Sequence, residues 1–428
     1  MRTTRKVAAA LTVGAVALTA AGCSSASSGS GDAQSITIWH NSADNDGIMA
    51  LYEGFTAETG IQVNLEAIPA DGFETAVTTK WATGDRPDVL EYHPTASALA
   101  LLNASQNMQD LSDMEFVGKS GSLYEQAGNL NGTVYAAITG FPSIFGIFFN
   151  KEVLASAGVE APQTFDELIT SCGALKSAGV VPFYESGGSQ WPTQILPFLY
   201  MADENEGNEL GYAFSHNEKQ LNGEDSPFVA GLDKYLAVRD ACFDPNYTTG
   251  TFENAIAEVY AGTAAMTALH SDTYNLWVDA AGGDEDALSA AVGFAGLSKD
   301  SATAAFGPGP LGSYMAPKTG DAGKEAAAKQ FIEYATGKGY ADLIATNEAF
   351  PVIEGYDAPA GAGELKLAFK AAYDDGATIG STGDIAGFDN FPAEVSRLLA
   401  GEITAQQLAD AMQANVDRAS KAAGVEGW

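Results

Sequence analysis

Several short stretches of this chain set aromatic rings beside planar polar groups. Glu185-Ser-Gly-Gly-Ser-Gln-Trp191-Pro192 holds an indole in a glycine-rich loop. His270, Asp272 and Tyr274 bring an imidazole, a carboxylate and a phenol together within five residues, and Trp277 follows. His40, Asn41 and Asp44 form a similar set, as do Glu91, Tyr92 and His93, while Tyr314 closes Gly312-Ser-Tyr314 and Phe388 leads into Asp389 and Asn390. A flat apolar face next to donors and acceptors of fixed geometry suits a solute with C–H faces and hydroxyls around its edge. Bond-making chemistry is poorly served. The four histidines (His40, His93, His216 and His270) form no His-Glu-x-x-His, and the chain has neither Gly-x-Ser-x-Gly nor Gly-x4-Gly-Lys. The paired carboxylates of an exported glycoside hydrolase can be imagined anywhere among 55 acidic residues, so their abundance decides nothing. A metal site built from the dispersed His40, His93 and His270 competes with hydrogen bonding to hydroxyls, and the second reading is preferred. No catalytic residue, metal or cofactor is expected.

The tryptophans divide by context. Trp39 ends a strand pattern and Trp81 lies on an apolar helix face, so both read as core; Trp428 is the last residue and is not placed. Trp191 is the preferred platform, the alternative being that it staples the following helix onto the core. Tyr274 is favoured over Trp277, whose spacing also suits helix packing, and the alternative for Tyr314 is a buried strand tyrosine. Asp88 reads as a turn cap.

Elements that would position these groups are legible at the start of the domain. Ser35 to Trp39 alternates as a strand; Ile48, Leu51, Tyr52 and Phe55 recur at helical spacing; Gly60 stops that helix; and Ile61, Val63 and Leu65 alternate again. Phe73, Val77 and Trp81 mark a second helix, and Pro87 to Tyr92 a third strand. This β-α-β-α-β order predicts an α/β fold with a largely parallel sheet, in which ligands bind beyond the carboxyl ends of the strands. His40, Asn41, Asp44, Glu91, Tyr92 and His93 fall there.

The first residues are addressed differently. Arg2, Arg5 and Lys6 precede an uncharged run from Val7 to Ala21, which suits a signal peptide over residues 1–22 and is too short for a membrane span. Ala20-Ala21-Gly22-Cys23 resembles a bacterial lipobox, implying lipid on Cys23; ordinary cleavage with a free thiol is the alternative. Residues 23–33 read as a flexible tether. The formal net charge is −34, and removing the leader leaves 18 basic against 55 acidic side chains, or −37. That excess argues against nucleic acid and against a surface-lying membrane helix. The roughly 395 remaining residues exceed what one core usually serves, so two lobes are expected. With Cys23 lipidated, Cys172 and Cys242 remain, either as a disulfide or as two separate buried thiols.

The ordered segments Phe55-Thr-Ala-Glu-Thr-Gly-Ile-Gln-Val63, Ala82-Thr-Gly-Asp-Arg-Pro-Asp-Val89, Asn131-Gly-Thr-Val-Tyr-Ala-Ala-Ile138, Phe148-Phe-Asn-Lys-Glu-Val-Leu-Ala-Ser-Ala-Gly158, Pro162-Gln-Thr-Phe-Asp-Glu-Leu168 and Gly309-Pro-Leu-Gly-Ser-Tyr-Met-Ala-Pro317 span nearly the whole chain after the tether. Together they resemble the family 1 extracellular solute-binding proteins, the group that includes the maltose-binding protein. The resemblance implies a two-lobe periplasmic-binding-protein-like (type II) fold of discontinuous lobes joined by a hinge, expected at residues 34–143 with 271–325 and at 144–270 with 326–428. It implies a monomeric receptor that delivers a sugar, best an oligosaccharide, to an ABC permease, lipid-anchored on the outer face of the bacterial membrane. Ligand contacts implied by this likeness are Trp191, His270, Asp272, Tyr274, Trp277, Tyr314, Phe388 and Asp389. The alternative keeps the fold and changes the cargo to an amine, a metal or another solute. Arg86, Arg239, Arg397 and Arg418 are the only arginines after the leader, and none lies in a favoured loop, which disfavours an anionic one.

Overall fold

The computed structural model describes residues 35–70, 73–380, 385–388, 390–423, 425 and 427–428. The leader, Cys23 and the tether expected at residues 1–33, and the candidate Asp389, lie outside these residues. No described helix is long and apolar enough to cross a membrane.

Two sheets organise the chain. Their strands are β1 (Ser35–Asn41), β2 (Gln62–Ile68), β3 (Val89–Glu91), β4 (Ala136–Ile138), β5 (Ser143–Asn150), β6 (Val181–Phe183), β7 (Ala264–His270), β8 (Val292–Ala295), β9 (Ala305–Gly307), β10 (Ser313–Met315) and β11 (Thr378–Ile379). The first sheet runs β2-β1-β3-β10-β4 and the second β11-β9-β5-β7-β6, with β8 also paired to β5. In the first, β1 lies parallel to both β2 and β3, while β10 enters antiparallel with Tyr314 opposite Glu91. In the second, β5 runs against β7, β8 and β9, so those three strands and β6 end on the same side.

Local chemistry explains the opening units. The side chain of Asn45 accepts from Ile48 N and caps the helix Asp46–Thr59, and Gly60 ends it in the left-handed conformation at φ 75°. Ile48, Leu51, Tyr52 and Phe55 are buried from that helix against Ile36 and Ile38 of β1. Trp39 and Trp81 are buried, as their context suggested, with Nε1 donating to Glu66 and to the Leu102 carbonyl respectively. Cys172 and Cys242 are joined by a disulfide with 5.3 Å between Cα atoms, tying the helix Phe165–Ser177 to the helix Pro227–Cys242.

The chain passes between the sheets after Ile138 and again between Gly307 and Ser313. This corrects the expected lobe boundaries. Residues 271–325 were assigned to the first lobe, yet β8 and β9 within them pair with β5 of the second sheet, Val292 opposite Asn150 and Ala305 opposite Phe145. Residues 326–428 were assigned to the second lobe, yet Phe331 of the helix Ala322–Thr336 packs on Tyr52 and Phe55, beneath the first sheet. The second crossing therefore lies about forty residues later than the expected hinge near residue 270.

Candidate functional site

The carboxyl end of the second sheet carries the first cluster. Beyond β6 the chain enters the loop 184–190, which is sewn down by its backbone: Gly187 N donates to Tyr247 O at 2.9 Å and Gly188 N to Gly250 O at 2.8 Å. The glycines are required by this close approach. A Cβ on Gly187 would run into the Tyr247 carbonyl, and one on Gly188 would lie 2.7 Å from that of Thr249. Gln190 then adopts φ 62° and ψ −58°, and Trp191 N closes onto Ser189 O at 2.7 Å, a strained γ-turn that fixes the direction in which the indole leaves the loop.

Trp191 is partly exposed and packs against His270 and Phe252, with ring centroids 4.8 and 5.3 Å away. Phe145 flanks His270 from β5 at 5.5 Å. Nδ1 of His270 is buried and, among the described residues, makes no hydrogen bond, with an Asp272 carboxylate oxygen 3.7 Å away. Burial lowers the His270 pKa, Asp272 opposing the shift, so its imidazole is neutral near pH 7. Ser143 Oγ donates to Asp272, and Ile144 N donates to Ser271 Oγ at 2.9 Å, so this cluster sits where the chain enters from the first sheet.

Of the five tryptophans, four have their indole N–H taken within the protein: Trp39 by Glu66, Trp81 by Leu102 O, Trp277 by Thr273 Oγ1 and Trp428 by Ser215 O. Among the described residues, Trp191 Nε1 has no protein acceptor. A partly exposed indole with an available donor is what a solute platform needs, because buried tryptophans nearly always find a partner for that N–H.

A second cluster lines a cavity of about 720 Å³ between the loop after β3 and the second half of the chain. Tyr92, His93 and Phe388 share its wall with Glu74, Thr95 and Gln194. Gln194 ends the single turn Trp191–Gln194, which links the two clusters. His93 Nε2 pairs with Glu74 at 2.9 Å, and that hydrogen bond holds the Glu74 carboxyl below its ordinary range.

Other sequence candidates are drawn inward. Glu91 is 0% exposed, and its two carboxylate oxygens accept from Asn41 N and Gly312 N, both at 2.8 Å. Burial, with Asp44 close by, pushes its carboxyl well above the usual range. Asp44 accepts from Tyr52 OH at 3.1 Å and pairs with His40 at 2.9 Å, and Asn41 Oδ1 accepts from Ala43 N. These four residues hold the carboxyl ends of β1 and β3 together and present little to a solute. Gly312 belongs to the same knot: its φ is 73° and an added Cβ would lie 2.7 Å from Thr139 Oγ1. Tyr314 is 0% exposed and edge-on to Phe331, a buried strand tyrosine. Trp277 is 0% exposed and stacks on Phe148, so its expected ligand role gives way to core packing. Tyr274 is 8% exposed, donates to Glu285 at 2.8 Å and lies beneath the Lys366 ammonium. Residues missed in the sequence are Gln194, Glu74, Phe145 and Phe252; only Gln194, one turn beyond Trp191, carried a signal that could have found it. Among the described residues, no three His, Cys, Asp or Glu side chains approach closely enough to hold a metal ion.

The profile of the bacterial extracellular solute-binding proteins matches residues 39–342, which takes in both sheets except the start of β1 and β11. The chain belongs to this family. An uncharacterized ABC transporter extracellular-binding protein of Pyrococcus horikoshii is 24% identical over 242 residues, 54% of this chain and 53% of the relative. The melibiose/raffinose/stachyose-binding protein MelE of Bacillus subtilis is 25% identical over 221 residues, 47% of each chain. The chain thus matches about half the length of these curated relatives. The apo form of RafE from Streptococcus pneumoniae superposes with a TM-score of 0.73 at 17% identity, covering 92% of this chain and 99% of that one. The two-sheet architecture is the two-lobe α/β fold of this solute-binding family.

Proposed function

We propose that this chain is the receptor of an ABC importer and that it captures an oligosaccharide between two closing lobes. The lobes are centred on the two sheets, one built from residues 35–138 and 313–347, the other from 143–307 and 364–428. The observation that carries the reading is Trp191: partly exposed, aimed by a strained turn, and the one tryptophan, among the described residues, with an unbonded indole N–H. A relative named for melibiose, raffinose and stachyose supports sugar as the cargo. In this reading the indole stacks on a pyranose face, while its N–H, the exposed part of the His270 imidazole, Gln194 and His93 bond ring hydroxyls. Neutral His270 donates or accepts without the desolvation cost of a charge. A solute touching both lobes stabilises the closed form by its differential contacts, and the permease reads that form. No covalent step or cofactor is invoked. The protein acts as a monomer, held at the outer face of the membrane by lipid on Cys23.

The test is thermal unfolding of the domain from Gln34 onward against mono- and oligosaccharides, with amino acids, polyamines and divalent metals as contrasts. A ligand at about 100 times its Kd adds about 2.7 kcal/mol to folding stability, so one class of sugar raises Tm by a few degrees. A shift from an amine or a metal, with none from any sugar, overturns the choice of cargo. Turnover of the sugar during the experiment overturns the receptor.

A further inference from the structure

The cavity beside His93 is not the only one walled by the loop after β3. The segment 92–101 that walls it also contributes Ala96 to a second cavity, of about 890 Å³, whose other walls are residues 124–132 and 204–219. Both volumes fall within the range of small-molecule pockets, about 300–1,000 Å³. Tyr212 lines the second cavity and is 47% exposed, the one aromatic ring among the exposed large apolar side chains of the described residues. It stacks on His216, ring centroids 3.8 Å apart and planes within 18°. His216 Nδ1 is held in turn by Ser215 Oγ and Tyr212 O at 3.0 and 3.1 Å. The pair therefore forms a fixed slab at the surface and not a mobile side chain.

The rim supplies the matching polar groups. Glu209 and Lys219 line the cavity and are exposed, and among the described residues no ion pair or hydrogen bond engages either side chain. Asn131 stands at the tip of a tight hairpin, with φ 52° followed by 78° at Gly132, and projects from the opposite wall. An exposed aromatic slab flanked by a carboxylate, an ammonium and an amide repeats the chemistry of the inner cluster.

We infer that the second cavity is an outer subsite for the distal rings of a linear oligosaccharide whose first rings occupy the inner clusters, with Tyr212 as its platform. This rests on the sugar-receptor reading. The outer subsite makes chain length a determinant of affinity: short sugars occupy the inner clusters alone, and longer ones gain a second stacking contact.

Calorimetric titration with gluco-, xylo- and galacto-oligosaccharides of two to six units tests it. In the series that binds, the affinity of the unaltered protein rises about tenfold between the shortest and the longest sugars. Tyr212→Ala removes that rise and leaves the shortest sugars unchanged, whereas Trp191→Ala weakens every length. Lys219→Ala, at an exposed position, reduces the rise independently of any effect of Tyr212→Ala on folding. Short sugars that bind with no gain on lengthening, or a gain that survives Tyr212→Ala, overturn the outer subsite and leave the receptor standing. Absence of binding by every sugar of every length overturns both.

Discussion

Trp277→Ala lowers folding stability by about 3–5 kcal/mol, whereas Trp191→Ala costs much less stability and weakens oligosaccharide binding about tenfold. Both indoles pack against side chains of the second sheet, Trp277 on Phe148 and Trp191 on His270, yet their surroundings differ in kind. Trp277 has no exposed surface; its ring stacks on Phe148 at 4.9 Å and 14°, and Nε1 donates to Thr273 Oγ1 at 3.2 Å. Truncation there opens a hole beside Phe148, which also packs against Phe294 and Phe369, and removes the bond that Thr273 Oγ1 accepts, while its own donation to His270 O remains. Trp191 is partly exposed and, among the described residues, its N–H has no protein partner. Its loss removes one stacking contact, worth about 0.5–1.5 kcal/mol, and tenfold in Kd corresponds to about 1.4 kcal/mol. Urea unfolding of both variants, with calorimetry on the folded proteins, separates the effects. A Trp191→Ala protein that loses its unfolding transition but keeps full affinity returns this residue to the core and removes the platform.

The sequence disclosed those parts of the fold whose periodicity is local. The strand and helix from Ser35 to Thr59 could be read because alternation and helical spacing reach across whole elements there. The lobe boundaries could not, because β8 and β9 are four and three residues long and carry too little pattern to reveal which sheet they join. Their pairing with β5 is a contact across more than 140 residues of chain. At the candidate site, Trp191, His270 and His93 could be singled out because a glycine-rich loop and strand ends announce themselves. Trp277 and Glu91 were misassigned for a shared reason: type and position along a strand or helix do not reveal burial. Glu91 stands at a strand's carboxyl end, where a ligand contact is expected, but both its oxygens are engaged by backbone N–H groups that tie the loops together.

Glu185 went unremarked as a chemical group and governs a pH dependence. It follows β6 at the root of the loop that carries Trp191, 4% exposed, with Oε2 accepting from Tyr235 OH at 2.9 Å and Oε1 from Ser186 N at 2.7 Å. Burial raises its pKa from 4.5 to about 7, against the lowering effect of those two hydrogen bonds. The native state therefore keeps a proton that the unfolded chain has already released. Folding stability from this group is full below pH about 4.5, declines as pH rises to about 7, and is level above that. The ionised carboxylate at pH 8 costs on the order of 3 kcal/mol relative to the protonated group. Glu185→Gln keeps the shape, can accept from Ser186 N, and carries no charge to desolvate. Its stability should match the unaltered protein at pH 4.5 and exceed it increasingly up to about pH 7, the difference then staying level to pH 8. Buried Glu91 also titrates high, but it is present in both proteins and cancels in the difference. Unfolding free energies measured across pH 4.5–8 decide the matter: a constant difference between the two proteins means that Glu185 is ionised throughout. A difference that grows with pH means that the base of the Trp191 loop carries an ionisation near neutrality, loosening where the platform must be held still.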